Sequence, residues 1–176
     1  MRPNDSLQTG PVVPGLVVRG ALVAAAAAGA MMLCPLIGWQ VAAIVLAGLA
    51  AALPQTFAAW GSVGCLVIGM LMSDPDVARA MTAVLVVHVI HLLMSLSLVI
   101  PAGSHVVIAA LRPSLVRLLV VQAIAQPVTV VVMIVSGVGT PDPMPTVPWA
   151  AVAGAAAVAA LLVTLLVRVN RPERAR

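Results

Sequence analysis

Apolar residues run along this chain in long blocks that are separated by short polar or proline-containing breaks. A helix that crosses the hydrocarbon core of a membrane needs about 20 mostly apolar residues. Six blocks reach or approach this length. The pattern therefore predicts an all-α fold, a polytopic integral membrane helix bundle with about six transmembrane helices, at residues 16–33, 36–53, 57–72, 80–100, 115–136 and 147–167.

The breaks between the blocks have chemical causes. Pro35 follows the first block, Pro54 follows the second, and a charged turn at 74–76 follows the third. Proline has no amide hydrogen and disfavours helix in the residue before it, so it collects at helix ends. The third block is short and lies only a few residues after the second. An alternative for these two blocks is a tight helical hairpin that does not fully cross the membrane.

Composition excludes a water-soluble domain. Hydrophobic residues make up 62% of the chain and charged residues 8%, and the mean hydropathy is +1.17. A soluble domain carries roughly a quarter charged residues, so the lipid bilayer is the expected solvent and partner. The net charge of +4 comes from nine arginines and no lysine. Because these arginines mostly flank apolar blocks, they indicate membrane orientation rather than nucleic-acid binding. Arginine without lysine, with abundant Ala and Val, suggests a GC-rich bacterial genome.

The distribution of arginine predicts the orientation. With six spans and a cytoplasmic N-terminus, only Arg79 lies outside, beside Asp74 and Asp76. The positive-inside rule then predicts a multi-pass protein of the cytoplasmic membrane with both termini in the cytoplasm. Residues 1–14 form a disordered cytoplasmic lead, 15–169 a single transmembrane bundle and 170–176 a basic cytoplasmic tail, while 104–117 lies flat on the inner leaflet. The arginines assigned to orientation or lipid headgroups are Arg19, Arg112, Arg117, Arg168, Arg171, Arg174 and Arg176.

Polar residues inside two blocks form a candidate site. On the fourth helix His88 and His91 share one face, because residues three apart are neighbours on a helix. Antiparallel packing of helices four and five through a short cytoplasmic connection places His91 about level with Gln126, and His88 with Thr129. Ionisable groups at that depth are costly and are functional candidates, for passing a proton or holding a small polar ligand. The alternative is that neutral His and Gln side chains only join two helices structurally. The candidate intramembrane polar cluster comprises His88, His91, Ser95, Gln122, Gln126 and Thr129.

Signals for catalysis, metals and cofactors are missing from the sequence. No Asp or Glu lies in a predicted span, and His105 is in a loop away from the histidine pair. Cys34 and Cys65 lack metal-ligand spacing and are expected at different depths, so we interpret them as small packing residues. The extramembrane segments are too short to fold a catalytic domain. We therefore expect no enzyme activity, no cofactor and no metal site.

Small residues four apart suggest a role in association. Ala43, Ala47 and Ala51 form such a stripe on the second helix, and stripes of this kind let membrane helices approach closely. We expect a non-enzymatic subunit or assembly factor of a larger bacterial membrane complex, with a membrane-protein partner or self-association. The alternative is a small oligomeric transporter or channel that uses the His/Gln cluster.

Overall fold

The computed structural model describes residues 11–138 and, beyond them, Ala156, Ala160 and Thr164. The chain divides into two compact units, Met1–Gly139 and Thr140–Arg176. In the second unit the three described residues are helical, and the Thr164 hydroxyl donates to the Ala160 carbonyl at 2.7 Å. Several predictions lie outside the described residues, namely the lead up to residue 10, the rest of the sixth block, and the tail with Arg168, Arg171, Arg174 and Arg176.

The first unit is mostly helical. Four of its helices begin and end within three residues of the predicted blocks, and the fifth begins seven residues earlier than predicted. Two three-residue strands accompany them. In chain order the elements are β1 Val12–Pro14, α1 Gly15–Leu33, α2 Ile37–Ala52, α3 Ala58–Leu71, α4 Val77–Val99, β2 His105–Val107 and α5 Ile108–Val135.

Helix length separates the five helices into two groups. The helices α1, α4 and α5 are long and apolar enough to cross a membrane, which indicates a membrane protein. In contrast, α2 has 16 residues and α3 has 14. At 1.5 Å per residue they measure about 24 and 21 Å, which is less than the hydrocarbon core of about 30 Å. Among the described helices, α2 and α3 are therefore a shorter apolar pair.

Helices α1 to α4 share one buried core. Leu22 of α1, Leu66 of α3 and Ile90 of α4 are fully buried in it, or nearly so. The small-residue stripe on α2 turns inward, since Ala43 and Ala47 are also buried, so it packs within this chain rather than against another protein. Lipid tails are as apolar as leucine, so membrane helices associate through such close contacts and interhelical hydrogen bonds. The buried Ser62 hydroxyl of α3 supplies one by donating to the Ala43 carbonyl at 2.9 Å.

Helix α5 corrects the prediction for residues 104–117. Instead of a flat segment before a helix at 115, one continuous helix of 28 residues begins at Ile108. Pro113 lies in its second turn and Pro127 in its later half, and neither ends it. Membrane helices tolerate proline because neighbouring groups satisfy the carbonyl that it leaves free. At 1.5 Å per residue α5 is about 42 Å long, which exceeds the hydrocarbon core.

A two-stranded sheet closes one end of the bundle. β1 pairs antiparallel with β2, with Val12 opposite Val107, and the Gly15 amide donates to the Ser104 carbonyl at 2.8 Å. Residues 12–14 are therefore ordered, contrary to the predicted disordered lead. The strands join the start of α1 to the connection between α4 and α5. This end of the bundle, where α1 and α5 begin and α2 and α4 end, is called the strand end below.

Candidate functional site

One interhelical hydrogen bond fixes the level of α5 against α4. The Gln126 amide nitrogen donates to the carbonyl of Met81 at 3.1 Å. The predicted alignment placed Gln126 level with His91, which is ten residues or about 15 Å further along α4, and it is wrong. The cause is the earlier start of α5, which shortens the connection after α4 and moves its centre toward the N-terminus. Every α5 residue consequently faces a part of α4 nearer the start of that helix than the sequence predicted.

The two histidines nevertheless lie together in a cavity between these helices. His88, His91 and Ser95 of α4 line a cavity of about 500 Å³ together with Ser114 and Arg117 of α5. We call this space the α4/α5 cavity. Ligand-binding cavities have volumes of about 300–1,000 Å³ and combine apolar walls with a few polar groups. The apolar walls here are Leu92, Leu96, Val99, Leu118 and Val121.

The α4 side of this cavity presents hydrogen-bond acceptors. His88 Nδ1 lies 2.7 Å from the Val84 carbonyl oxygen. Because a carbonyl oxygen only accepts, Nδ1 carries the hydrogen, and in neutral His88 the free lone pair is on Nε2. The Ser95 hydroxyl donates to the His91 carbonyl at 2.8 Å, so only its oxygen lone pairs remain. Both groups can therefore accept a hydrogen bond from a ligand.

The α5 side supplies a positive charge. Arg117 is exposed, and within the described residues it has no ion pair and no hydrogen bond to a side chain. It is the tenth residue of α5 and lies about 13 Å from the start of that helix. A charged side chain this far into an apolar helix needs a partner, water or a lipid headgroup to satisfy it. The cavity therefore joins two acceptors to a cation that has no acidic partner among the described residues, and the His91 ring and the Ser114 hydroxyl also line it.

His91 also contacts the neighbouring helix α3. Its ring centroid lies 5.7 Å from that of Trp60, and the two planes are tilted by 50°. Trp60 is the third residue of α3, at the end of the bundle where α4 finishes. The His91 ring therefore lies against α3 as well as lining the α4/α5 cavity.

The glutamines form a second, separate polar site. Gln126 Nε2 donates to Gln122 Oε1 at 2.8 Å as well as to Met81, and the Thr129 hydroxyl donates to the Ala125 carbonyl of its own helix. Gln122 Nε2 and Gln126 Oε1 are buried with no hydrogen-bond partner among the described residues. Neither glutamine lines the α4/α5 cavity. The predicted cluster therefore divides into His88, His91 and Ser95 at the cavity and Gln122, Gln126 and Thr129 further along α5.

Arg19 has a contact that its assignment to membrane orientation did not anticipate. Its Nη1 donates to the carbonyl of Ala51 at 2.7 Å, in the last turn of α2. Carbonyls at a helix C-terminus have no partner within the helix and carry partial negative charge, so a cation there is favourable. Arg19 thereby joins α1 to α2, while its buried Nε has no partner within the described residues.

The two cysteines are close together, contrary to the expected difference in depth. Cys34 Sγ lies 3.6 Å from the Cys65 carbonyl oxygen, and both are buried free thiols. Helix α3 is so short that its middle lies only about 10 Å from either end. Cys34 is in the connection between α1 and α2, where burial and then the nearby Cys65 raise the pKa of its thiol. Within the described residues no three His, Cys, Asp or Glu side chains are grouped to hold a metal.

Ser114 and Arg117 are the cavity residues that sequence reasoning did not combine with the histidines. If the fifth helix had been started at Ile108, with Pro113 inside it, Ser114 and Arg117 would have been placed beside the histidine face of α4. Without that start, Arg117 looked like a flanking charge.

No protein-family model, no curated protein and no solved structure matches this chain.

Proposed function

We propose that this chain is a non-enzymatic integral membrane protein that serves as a subunit or assembly factor of a larger bacterial membrane complex. The observation that carries the proposal is the glutamine pair on α5. No residue of α5 is fully buried, yet Gln122 Nε2 and Gln126 Oε1 are shielded and unpaired among the described residues. Water is absent from the bilayer core, and membrane helices satisfy such groups by bonding to one another. If the two side chains turn outward from α5, a partner helix packed there would supply one acceptor and one donor.

Replacing both glutamines with leucine tests this proposal. Tagged protein at native expression level is purified in mild detergent, and the co-eluting proteins are quantified by mass spectrometry. We expect a stoichiometric membrane partner with the unmodified chain and an at least about fivefold loss of it with Gln122→Leu/Gln126→Leu. Thr129→Val is the matched control, because the Thr129 hydroxyl bonds only within α5. Full retention of the partner by the double variant, or a homo-oligomer without partners, contradicts the proposal.

The proposed arrangement in the membrane is six spans in the cytoplasmic membrane with both termini in the cytoplasm. Charge supports it. Arg19 lies at the strand end, Arg112 and Arg117 are in the first three turns of α5 from that end, and the opposite end carries Asp74 and Asp76. Excess arginine marks the cytoplasmic side. The α2–α3 pair crosses in this arrangement with thinning of the bilayer around it.

Cysteine labelling tests the orientation. In a variant without Cys34 and Cys65, one new cysteine is placed at Asp74 or at Gly103. Both positions are exposed, and a side chain at Gly103 meets no atom within 4 Å. A membrane-impermeant maleimide added to intact cells is expected to label the cysteine at 74 and to leave the one at 103 unmodified. Labelling at 103 alone would reverse the proposed orientation.

A small oligomeric transporter or channel is the second candidate function. The α4/α5 cavity favours it, because His88 lies at the middle of α4 and the cavity is large enough for a small solute. This candidate differs from the first in needing no other protein. The transporter candidate predicts a solute flux into liposomes that contain this chain as their only protein.

A further inference from the structure

Arg117 gives the first requirement for an occupant of the α4/α5 cavity. Its guanidinium has only donors and a permanent positive charge, and the described residues offer it no acidic partner. Guanidinium pairs most strongly with carboxylate or phosphate, which accept two parallel hydrogen bonds. The occupant therefore carries an anionic acceptor group.

His88 and Ser95 give the second requirement. Their hydrogens are committed to the carbonyls of Val84 and His91, so both present only lone pairs to the cavity. Ser95 is exposed and His88 is half-buried, and in lipid no water donates to their lone pairs. The occupant therefore also carries a hydroxyl or ammonium hydrogen that His88 Nε2 or Ser95 Oγ can accept.

The walls give the third requirement. Leu92, Leu96 and Val99 on α4 continue the cavity toward the end of that helix, and Leu118 and Val121 add apolar lining from α5. A small soluble anion would contact the polar residues and leave these apolar walls without an occupant. Hydrocarbon chains attached to the anionic group would cover them instead.

We propose that the α4/α5 cavity binds a phospholipid whose headgroup contains both a phosphate and a hydrogen-bond donor. Glycerol and ethanolamine headgroups satisfy both requirements. A choline headgroup has the phosphate but no donor, so it is the matched ligand control. The proposal needs only the membrane location of the chain and is independent of the subunit role, which the glutamine variants test separately.

Native mass spectrometry of the full chain tests the proposal. The protein is equilibrated with vesicles of equal parts phosphatidylglycerol, phosphatidylethanolamine and phosphatidylcholine, and the lipids retained after gentle delipidation are counted. Retention of each of the first two lipids is expected to exceed that of phosphatidylcholine by about tenfold. Arg117→Gln removes this retention, whereas Arg112→Gln preserves it. Arg112 is exposed on the same helix and does not line the cavity, so it is the matched charge control.

Two further measurements keep the proposal testable if Arg117→Gln reduces folding. Ser95→Ala removes one acceptor, and we expect it to reduce the preference over phosphatidylcholine while total lipid retention is unchanged. Soluble glycerol phosphate at millimolar concentration is expected not to displace the lipid. Displacement by it would assign the cavity to a soluble anion and overturn the proposal. Equal retention of the three lipids, or equal losses from Arg112→Gln and Arg117→Gln, would overturn it too.

Discussion

Replacing Gly69 with valine is expected to lower the free energy of unfolding by about 3 kcal/mol. A Cβ at this position would lie 2.9 Å from the Cα of Cys34 and 3.0 Å from its Cβ. Such distances are shorter than van der Waals contact, and a backbone atom cannot rotate away as the end of a side chain can. The connection after α1 must therefore move off α3, which opens the core at Cys34 and Cys65.

The matched control for this substitution is Gly64→Val on the same helix. Apart from its chain neighbours and the backbone of its own helix, no atom lies within 4 Å of a Cβ at Gly64, and valine is at least as good a helix former as glycine. We expect its free energy of unfolding to change by less than about 0.5 kcal/mol. Unfolding of both variants in mixed micelles with increasing SDS, followed by circular dichroism, measures the difference. Equal losses from the two substitutions would show that the contact between Cys34 and α3 does not stabilise the bundle.

Leu22→Ala is expected to cost about 1–3 kcal/mol of unfolding free energy. Leu22 is 0% exposed and is among the largest fully buried side chains. In a soluble protein such a change loses both the transfer of leucine from water and the packing around the cavity. In a bilayer the separated helix keeps its leucine in lipid, so only the packing and cavity part is lost. The expected cost is therefore smaller than in a soluble core of the same shape.

Val17→Ala on the same helix is the control for this comparison. Val17 is 54% exposed and contacts lipid in both the packed and the separated state. Its free energy of unfolding is expected to change by less than about 0.5 kcal/mol. The same SDS titration serves for both variants. A cost at Val17 as large as the one at Leu22 would mean that α1 packs through the opposite face.

The first four helices could be predicted because strong local signals bound them. Pro35, Pro54 and the charged turn at 74–76 act whatever the surroundings are, so helix ends follow from them within a few residues. The inward face of α2 could also be predicted, since alanines four apart lie on one side of any helix. These inferences needed no knowledge of the neighbouring helices.

The site could be predicted only in part, because the start of the fifth helix was placed too late. Residues 104–117 were expected to lie flat on the inner leaflet, yet α5 begins at Ile108 and runs through Pro113. That error displaced α5 along α4, so the glutamines were placed beside the histidines and Arg117 was left at the surface. The histidine face itself was right, since it depends on one helix alone. Residues that meet across two helices depend on the length of the connection, which composition does not determine.

The pairing of β1 with β2 also sets an order of events during synthesis. Val12 and Val107 are about 95 residues apart, and a ribosome adds about 5–20 residues per second. For roughly 5–20 s the nascent chain therefore contains β1 without its partner strand. Until β2 is made, β1 lacks the ladder hydrogen bonds that it has in the folded chain. The β1–β2 sheet is thus completed after the first four helices have been translated. A nascent chain arrested before residue 105 would lack this sheet entirely.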